Sequence, residues 1–382
     1  MKIIYIYPSL VTMGGADRII IQKANYLAEE LGYEIYIITD SQKGRKTIFP
    51  LSSKVNHIDL GLDFDKQYKY NFFFRFIYYK YQSYLYKKKL SLTINRIKPN
   101  IIISTLGRET DFVIKLKGDW SIIGEAHTTK DNTRKIKELI LKGGIHKLAG
   151  LYLNKQIEKC VKQYKSLIVL NPVEKEKWEN VIEAQVIPNP LTFKTTSNSH
   201  HDSKNIIFVG RLEYEKGVDR LIEIWEGIYR NNIDWSLHIY GIGTMGNKLR
   251  DLIKIKKLKN IFIHQPVSDI KSRYLESSIL ILTSRYEGFG LVLIEAMSCG
   301  LPCISFDCPY GPRNIIKNNI NGFLVENGNI KDMIENIQIL INDKSLRIKM
   351  GKEAVITAQS YQPEYIMQQW NELFKGLIQK QQ

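Results

Sequence analysis

The stretch "SRYEGFGLVLIEAMSCGLPCISFD", residues 284–307, decides the fold, because it contains a turn, a short helix and a second strand directly after an apolar run. Glu287 stands in the turn, and Glu295 stands eight residues later in the predicted helix, which Gly300 and Pro302 are expected to end. Carboxylates in an otherwise apolar strand–turn–helix unit predict a ligand site at the carboxyl end of the strand.

The same alternation of strand and helix runs along most of the chain. Short runs rich in Ile, Val and Tyr precede longer amphipathic segments, which is typical of βα units in a parallel sheet covered on both faces. The predicted strands of the first half are KIIYIY (2–7), EIYIIT (34–39), VNHIDL (55–60), NIIIST (100–105), WSIIGEA (120–126) and SLIVL (166–170). Those of the second half are NIIFVG (205–210), WSLHIYG (235–241), NIFIHQ (260–265), SILILTS (278–284), PCISFD (302–307) and GFLV (322–325).

The alternation breaks near residues 184–204, where AQVIPNPLTF leads into the polar run TTSNSHHDSK. Two prolines punctuate this segment, so we interpret it as a linker between two doubly wound domains. A chain of 382 residues is long enough for two such domains. The predicted boundaries are 1–190 for the first domain, 191–360 for the second, and 361–382 for an amphipathic C-terminal helix that crosses back to the first domain.

The charge of the chain favours an anionic partner. Its formal net charge is +16, which suits nucleic acid, an acidic membrane surface or phosphorylated ligands. The basic residues are scattered and form no known nucleic-acid-binding motif, so nucleic acid is not an expected partner.

The four cysteines are too few for a disulfide framework in a chain of this length. No histidine accompanies them at the spacing of zinc ligands, so we expect buried thiols and no metal site. No apolar run approaches the ~20 residues that a membrane-spanning helix needs, and MKIIYIYPSL does not resemble a signal peptide. A cytoplasmic location is therefore expected.

The turn in the quoted stretch is suited to an anion. Gly288 and Gly290 allow close approach of the backbone to a ligand, and Phe289 or Gly290 is expected to begin a helix with free amides. A diphosphate could bind to these amides while the neighbouring sugar hydroxyls bind to the carboxylates. Such a ligand would explain why Glu287 stands next to an anion site. The alternative is that Glu287 caps the helix and that the second carboxylate is a solvated helix residue.

Four other loops follow predicted strands. In GRLEYEKG (210–217), Arg211 and Lys216 stand beside a helix start and would suit a diphosphate, although an ordinary basic loop would look the same. A glycine loop in PSLVTMGGADRII (8–20), with Gly14 and Gly15, lacks the full G-x-G-x-x-G fingerprint. GIGTMGNKL (241–249), with Gly241, is a similar loop in the second domain and is equally weak evidence by itself. His127, in GEAHTTKD (124–131), stands where a ligand cleft would open, but a lone histidine can equally be structural.

The glycine pair after the first strand, GRLEYEKG, and EGFGLVLIEAMSCGLP resemble, in this order, the retaining glycosyltransferases of family 4. The resemblance covers nearly the whole chain and implies the GT-B fold, an α/β architecture with two Rossmann-like domains, each a doubly wound parallel sheet, facing a central cleft. CPYGPRNII (308–316) is similar to the bacterial branch that builds capsule, O-antigen or lipid-linked oligosaccharides. The implied function is transfer of a hexose or N-acetylhexosamine from a nucleotide sugar, expected to be UDP-linked, to a glycan hydroxyl.

The resemblance also implies roles for individual residues. Glu295 would bind the ribose hydroxyls, Glu287 would approach the donor sugar, and His127 would lie at the reaction centre. The other implied donor contacts are Arg211, Lys216 and the amides of Phe289, Gly290 and Leu291 at the diphosphate, Gly14 and Gly15 near the phosphates, Pro266 and Val267 at the base, and Gly241 and Gly288 in the flanking loops. No residue is expected to act as a covalent nucleophile, and neither a cofactor nor a metal ion is expected, because cations and helix amides stabilise the leaving diphosphate.

A basic aromatic segment, YKYNFFFRFIYYKYQSYLYKKKLSL (68–92), is expected to form one helix. At helical spacing Lys69, Lys80 and Lys87 share a face, and Lys87 begins a run of three lysines. Aromatic residues beside lysines suit an anionic lipid surface, so we predict peripheral contact with the inner face of the membrane and a polyprenyl-linked acceptor. The alternative is a buried helix with solvated lysines.

Two other functions stay open at this stage. A nucleotide-sugar epimerase on the same fold would act without an acceptor, and a non-catalytic glycan-binding protein would act without any reaction. The presence of Glu287, Glu295, Arg211 and Lys216 favours an enzyme.

Overall fold

The chain folds into two compact units of parallel sheet and helices, as predicted. A computed structural model describes residues 1–379, without the side chains of Phe72 and Lys135. Unit 1 comprises Met1–Pro188 together with the chain from Ile366 onward, and unit 2 comprises Asn189–Tyr365. The junction between the units lies next to the predicted boundary at residue 190.

Unit 1 contains a seven-stranded parallel sheet in the order β3-β2-β1-β4-β5-β6-β7. Its strands are β1 (Lys2–Tyr7), β2 (Glu34–Thr39), β3 (Val55–Asp59), β4 (Ile101–Ser104), β5 (Ser121–Glu125), β6 (Ser166–Val169) and β7 (Ala184–Val186). Its first helices are α1 (Gly15–Glu29), α2 (Phe72–Ile97), α3 (Thr110–Val113), α4 (Ile136–Leu141), α5 (Gly144–Val161) and α6 (Pro172–Trp178). All six strands predicted in this half are present, and β7 is an additional short edge strand in the segment that was interpreted as a linker.

The two faces of this sheet carry separate cores. Ile4 packs in one hydrophobic cluster, and its neighbours Ile3 and Tyr5 pack in the other, because successive strand residues point to opposite faces. Strand β4 repeats the pattern. A parallel strand buried on both faces therefore appears in the sequence as a continuous apolar run.

The basic aromatic segment does not form one helix over residues 68–92. Helix α2 begins at Phe72, where the Asn71 side chain accepts a hydrogen bond from the Phe74 amide, and Lys69 ends a separate 3₁₀-helix, Phe64–Lys69. The prediction that Lys69 shares a face with Lys80 and Lys87 is therefore wrong, because the N-cap interrupts the helical register.

The two halves of α2 differ in burial. Its C-terminal half packs into the core of unit 1 through Tyr86, Leu90 and Ile94. Its N-terminal half leaves large apolar side chains exposed: Phe73, Phe74, Phe76, Ile77, Tyr79, Tyr81 and Tyr84. The alternative of an entirely buried helix does not fit this half.

Unit 2 contains a six-stranded parallel sheet in the order β10-β9-β8-β11-β12-β13. Its strands are β8 (Asn205–Val209), β9 (Ser236–Tyr240), β10 (Ile261–His264), β11 (Ile279–Leu282), β12 (Cys303–Asp307) and β13 (Gly322–Glu326), as predicted to within one or two residues. Its helices are α7 (Val218–Ile228), α8 (Gly246–Ile255), α9 (Ile270–Leu275), α10 (Leu291–Ser298), α11 (Ile330–Asn342) and α12 (Lys344–Gln359).

The last helix, α13 (Pro363–Gln379), begins in unit 2 and packs on unit 1. Ile366, Met367, Trp370 and Phe374 enter the core cluster that contains β1 and α1 residues. Their spacing places them on one face of the helix. The last three residues of the predicted helix 361–382 lie outside the described residues.

Each sheet has a topological switch point, where the strand order reverses. In unit 1 it lies between β1 and β4, and in unit 2 between β8 and β11. Loops that leave the carboxyl ends of such neighbouring strands diverge and open a crevice in which ligands bind. The loops after β8 and β11 are the two that carry the predicted cations and the first predicted carboxylate.

All four cysteine side chains are buried, as predicted, and burial raises the pKa of the Cys299 and Cys308 thiols to about 12. Within residues 1–379, no helix is both long enough and apolar enough to cross a membrane.

Candidate functional site

The loops after β8 and β11 bring Lys216 and Glu287 together at the switch point of unit 2. Lys216 Nζ lies 2.5 Å from Glu287 Oε2, and Ser284 Oγ donates to the same oxygen at 3.3 Å. The side chains of the pair are 19% and 14% exposed, so solvent screens their attraction only in part. Glu287 does not cap the following helix, whose N-cap residue is Gly290.

Backbone contacts hold these two loops against each other. The Thr283 hydroxyl donates to the Lys216 carbonyl at 2.9 Å, and the Arg285 amide donates to the Glu215 carbonyl at 2.8 Å. Gly217 adopts a φ of +63°, and a Cβ added there would lie 2.0 Å from the Thr283 carbonyl oxygen. Only glycine fits at this position, where it forms the N-cap of α7.

An arginine that the sequence analysis missed also holds the loops after β8 and β11 together. Arg285 donates two hydrogen bonds to Asp219, at 2.8 and 2.7 Å, and its guanidinium lies 3.7 Å from the centre of the Tyr214 ring. The hydrogen bonds from Arg285 lower the pKa of Asp219. The only signal in the sequence was the position of Arg285 in the same turn as Glu287, because its partner lies 66 residues away.

The segment CPYGPRNII (308–316) supports Glu287 from the other side. The Gly311 amide donates to the Glu287 carbonyl at 2.7 Å, and the Glu287 amide donates to the Pro309 carbonyl at 3.4 Å. A Cβ on Gly311 would lie 2.5 Å from the Phe289 carbonyl oxygen. This segment therefore fixes the backbone at the carboxylate, a role that its sequence did not indicate.

The helix after the turn begins at Leu291, later than the predicted Phe289 or Gly290. Gly290 has a φ of +92° as the N-cap, and the Phe289 ring is buried against Tyr361. The first amides of α10 have no partner within the helix, so the start of α10 is suited to an anion. Gly288 lies in the turn itself, directly after Glu287.

Glu295 lies within α10 and is buried, with 3% exposed. Its Oε1 accepts a hydrogen bond from Thr192 at 2.5 Å, and its Oε2 accepts one from Tyr274 at 3.1 Å. The alternative of a solvated helix residue is wrong.

Arg211 is not part of the Lys216–Glu287 pair. Its side chain is 62% exposed and forms an ion pair with Glu215 at 2.6 Å. An exposed arginine on a short loop is free to exchange this partner for an anion, because exposed ion pairs contribute little stability.

The loop after β9 packs closely on the loop after β8. A Cβ on Gly241 would lie 1.9 Å from the Gly210 carbonyl oxygen, and the Gly241 amide donates to the His264 carbonyl at 3.1 Å. Pro266 and Val267 follow β10 and are half-buried. Beside them lies a shallow pocket lined by Leu212, Gly241, Ile242, Gly243, Thr244, Gly246, Asn247, Arg250 and Gln265.

In unit 1, the glycine loop after β1 is held by Asp17, which the sequence analysis missed. Asp17 accepts hydrogen bonds from the Tyr7 hydroxyl and from the Thr12 amide, both at 2.8 Å. Gly14 is the N-cap of α1, which begins at Gly15. The strand, the loop and the helix start are thus tied to one buried carboxylate.

His127 lies two residues beyond the end of β5, where the sequence predicted it, next to a buried ion pair. Its Nε2 is 3.2 Å from Glu125 Oε1, and the same oxygen is 2.6 Å from Lys23 Nζ. Burial lowers the pKa of His127, although Glu125 opposes this change. Burial also opposes the charge of Glu125, but Lys23 counteracts burial, and the pKa of Glu125 lies below its usual value.

Among residues 1–379, no group of three or more His, Cys, Asp or Glu side chains is arranged to hold a metal ion. The groups that the loops described above offer to a ligand are cations, carboxylates, an imidazole and helix amides.

Comparisons with known proteins identify relatives of this chain. A family model described as "Glycosyl transferases group 1" matches residues 192–355, which include both carboxylates and the loop of Lys216. An "Uncharacterized glycosyltransferase" from Haemophilus influenzae is 27% identical over 99% of this chain and 99% of its own. A "Poly(ribitol-phosphate) alpha-N-acetylglucosaminyltransferase" from Staphylococcus aureus is 31% identical over 55% of this chain and 44% of its own.

A solved structure shares the whole fold. A point mutant of S. aureus TarM, in complex with Fondaparinux, alpha-GlcNAc-glycerol and UDP, superimposes with a TM-score of 0.78 over 98% of this chain and 99% of that chain, at 17% identity. The chain has the GT-B fold. The family model and the named relatives support a glycosyltransferase.

Proposed function

We propose, from the premise that this chain is a GT-B glycosyltransferase, that it is a retaining enzyme that transfers a hexose or N-acetylhexosamine from a UDP-sugar to a glycan hydroxyl. The observation that carries the proposal is the Lys216–Glu287 pair at the switch point of unit 2, beside the N-terminus of α10. This arrangement offers a cation and free amides to a diphosphate and a carboxylate to the sugar next to it.

The leaving diphosphate is the group that needs stabilisation in this reaction. As the bond between the anomeric carbon and the phosphate oxygen breaks, negative charge develops on the diphosphate, where Lys216, Arg211 and the α10 amides act. The acceptor oxygen forms the new bond to the anomeric carbon, and its proton passes to the departing phosphate oxygen. Glu287 accepts hydrogen bonds from hydroxyls of the donor sugar, which positions the sugar, and it does not act as a nucleophile. The reaction needs no metal ion.

The choice of UDP and of retention rests on the relatives. The TarM structure contains UDP together with alpha-GlcNAc-glycerol, and the S. aureus relative is named as an alpha-N-acetylglucosaminyltransferase. UDP-sugars of these hexoses carry an α-anomeric linkage, so an α-linked product corresponds to retention. Glu295 on α10 is the carboxylate that we propose contacts the ribose.

The proposed acceptor is a polyprenyl-diphosphate-linked glycan at the inner face of the cytoplasmic membrane. The supporting feature is the N-terminal half of α2, whose exposed aromatic residues neighbour exposed lysines, including Lys80, Lys87 and Lys88. Such a surface combines apolar insertion with attraction to anionic lipid.

The test is donor binding followed by transfer. Thermal unfolding is measured with UDP, GDP, UDP-glucose, UDP-galactose, UDP-N-acetylglucosamine and GDP-mannose, and a ligand at 100 times its Kd stabilises by about 2.7 kcal/mol. We expect a shift with UDP compounds that is lost in Lys216→Ala and in Glu295→Ala. The control is Lys331→Ala, since Lys331 is 85% exposed on α11 and should leave the shift unchanged.

Product analysis then separates the alternatives. A sugar transferred to a lipid-linked acceptor with its anomeric configuration kept supports the proposal, whereas an isomerised UDP-sugar without acceptor would identify an epimerase. Binding without turnover of any donor would leave a non-catalytic protein.

A further inference from the structure

Behind His127 lies a buried charge pair that the proposed reaction does not use. Lys23 on α1 and Glu125 at the end of β5 are each 1% exposed and form an ion pair at 2.6 Å. Lys23 Nζ also lies 3.4 Å from the centre of the Trp370 ring on α13. Removing two charges from water is costly unless they are well paired, so a purely apolar core would be simpler at this place.

One oxygen of the Glu125 carboxylate lies close to both Lys23 and His127. Glu125 Oε1 is 2.6 Å from Lys23 Nζ and 3.2 Å from His127 Nε2, at an angle that does not form a hydrogen bond with the ring. Glu125 Oε2, His127 Nε2 and Tyr5 Oη are buried without a hydrogen-bond partner. The cluster therefore has more polar atoms than its internal contacts satisfy, and a small rotation of the imidazole would allow Nε2–H to donate to Glu125.

We propose that Glu125 is the positioning residue of His127: it holds the ring proton on Nε2, so that Nδ1 is a bare acceptor for a hydroxyl of the sugar substrate. A neutral imidazole has one N–H, and the carboxylate next to one nitrogen decides which nitrogen carries it. The choice of a sugar hydroxyl as partner rests on the proposed function.

Lys23 has a second role in this arrangement, because it keeps Glu125 ionised. Without a cation, a carboxyl buried to this extent would take up a proton and would no longer accept one from the ring. The charged groups that face His127 are Glu125 from its own strand end and Lys23 and Asp17 from α1. Burial dominates among these influences and keeps the ring neutral, as an acceptor requires.

The test compares wild type with the double variant Lys23→Met, Glu125→Gln. Removing both charges together avoids leaving one of them unpaired in the core, so the double variant is expected to fold with near wild-type thermal stability, while Lys23→Met alone is expected to be less stable. The readout is the pair of ring ¹⁵N shifts of His127, assigned by the loss of its signals in His127→Gln. Wild type should show a protonated Nε2 and a bare Nδ1.

In the double variant we expect a mixture of tautomers and a roughly 10- to 100-fold lower kcat/KM for sugar transfer. An unchanged tautomer and an unchanged rate in this stable variant would overturn the proposal and reduce the pair to a structural one. A second variant, Glu125→Asp, keeps the charge but withdraws the carboxylate from the ring, and it should shift the tautomer in the same direction; a wild-type tautomer here would also contradict the proposal.

The two proposals fail separately. If the tautomer responds as expected but no donor is transferred by wild type, the role of Glu125 stands and the proposed reaction is wrong. If transfer occurs but the tautomer does not depend on Glu125, the reaction stands and the positioning role is wrong.

Discussion

At the scale of single residues, the candidate donor site depends on how closely backbone segments approach one another. Gly217, Gly241 and Gly311 each lie so near a carbonyl oxygen that a methyl group would overlap with it. These glycines are needed for loop-to-loop contact, whereas Lys216 and Glu287 are the residues that we propose act on the donor. Packing and chemistry thus rest on different residues of the same loops.

Substitution at Gly217 tests this division. Gly217→Ala would force both a positive φ and an overlap with the Thr283 carbonyl, so we expect a loss of more than about 2 kcal/mol in the free energy of unfolding. The measurement is urea unfolding. Gly376→Ala on α13 is the matched control, because open space surrounds this helical glycine and alanine there should stabilise by about 0.5–1 kcal/mol. Equal effects of the two substitutions would contradict the role assigned to Gly217.

At the scale of elements, α13 is the part of the chain most separated in sequence from the unit that it completes. Trp370 is 1% exposed in the core of unit 1, so Trp370→Ala should cost about 3–5 kcal/mol in the free energy of unfolding. Tyr365→Ala, earlier in the same helix and 62% exposed, should change it by less than about 0.5 kcal/mol. A small effect of Trp370→Ala would mean that α13 does not contribute to the stability of unit 1.

Helix α2 is the element from which we predict membrane contact. Replacing Phe73, Phe74 and Phe76 together by Ser removes exposed apolar groups and should leave the fold intact, since none of the three is buried. We expect co-sedimentation of wild type with anionic vesicles at low salt and weaker co-sedimentation of the triple variant. Ile356→Ser, at an exposed position of α12, is the control. Absence of wild-type binding to anionic vesicles would remove the membrane from the proposal.

At the scale of the whole molecule, the histidines make stability depend on pH. Burial lowers the pKa of five histidines below the usual value of 6.5: His57, His127, His201, His238 and His264. These rings stay neutral in the folded protein at a pH at which the unfolded chain already binds protons. Stability is therefore fully present above about pH 6.5 and is lost as the pH falls.

The measurement is denaturant unfolding between pH 7.5 and 5.5. We expect the free energy of unfolding of wild type to fall over this range. It should fall less in the double variant His238→Gln, His264→Gln. These two rings are hydrogen-bonded to each other at 3.0 Å, so their substitution removes two of the five groups at one place. A pH dependence equal to that of wild type would show that His238 and His264 do not contribute to the loss of stability in acid.

The sequence by itself determined the two parallel sheets, the loops that carry Lys216 and Glu287, and the helix that carries Glu295. Buried parallel strands need unbroken apolar runs, and turns with ligand-binding amides need glycine, so both leave local patterns. The strand β7 escaped prediction because an edge strand of three residues has no periodicity to detect.

Only the tertiary structure decided which side chains meet. Arg285 and Asp219 are 66 positions apart, and Lys23 and Glu125 are 102 apart, so no local pattern links the members of either pair. The same holds for Glu295, whose burial follows from the approach of Thr192 and Tyr274. Charge pairing is set by distances across the fold, and a sequence read along one dimension contains the charges but not those distances.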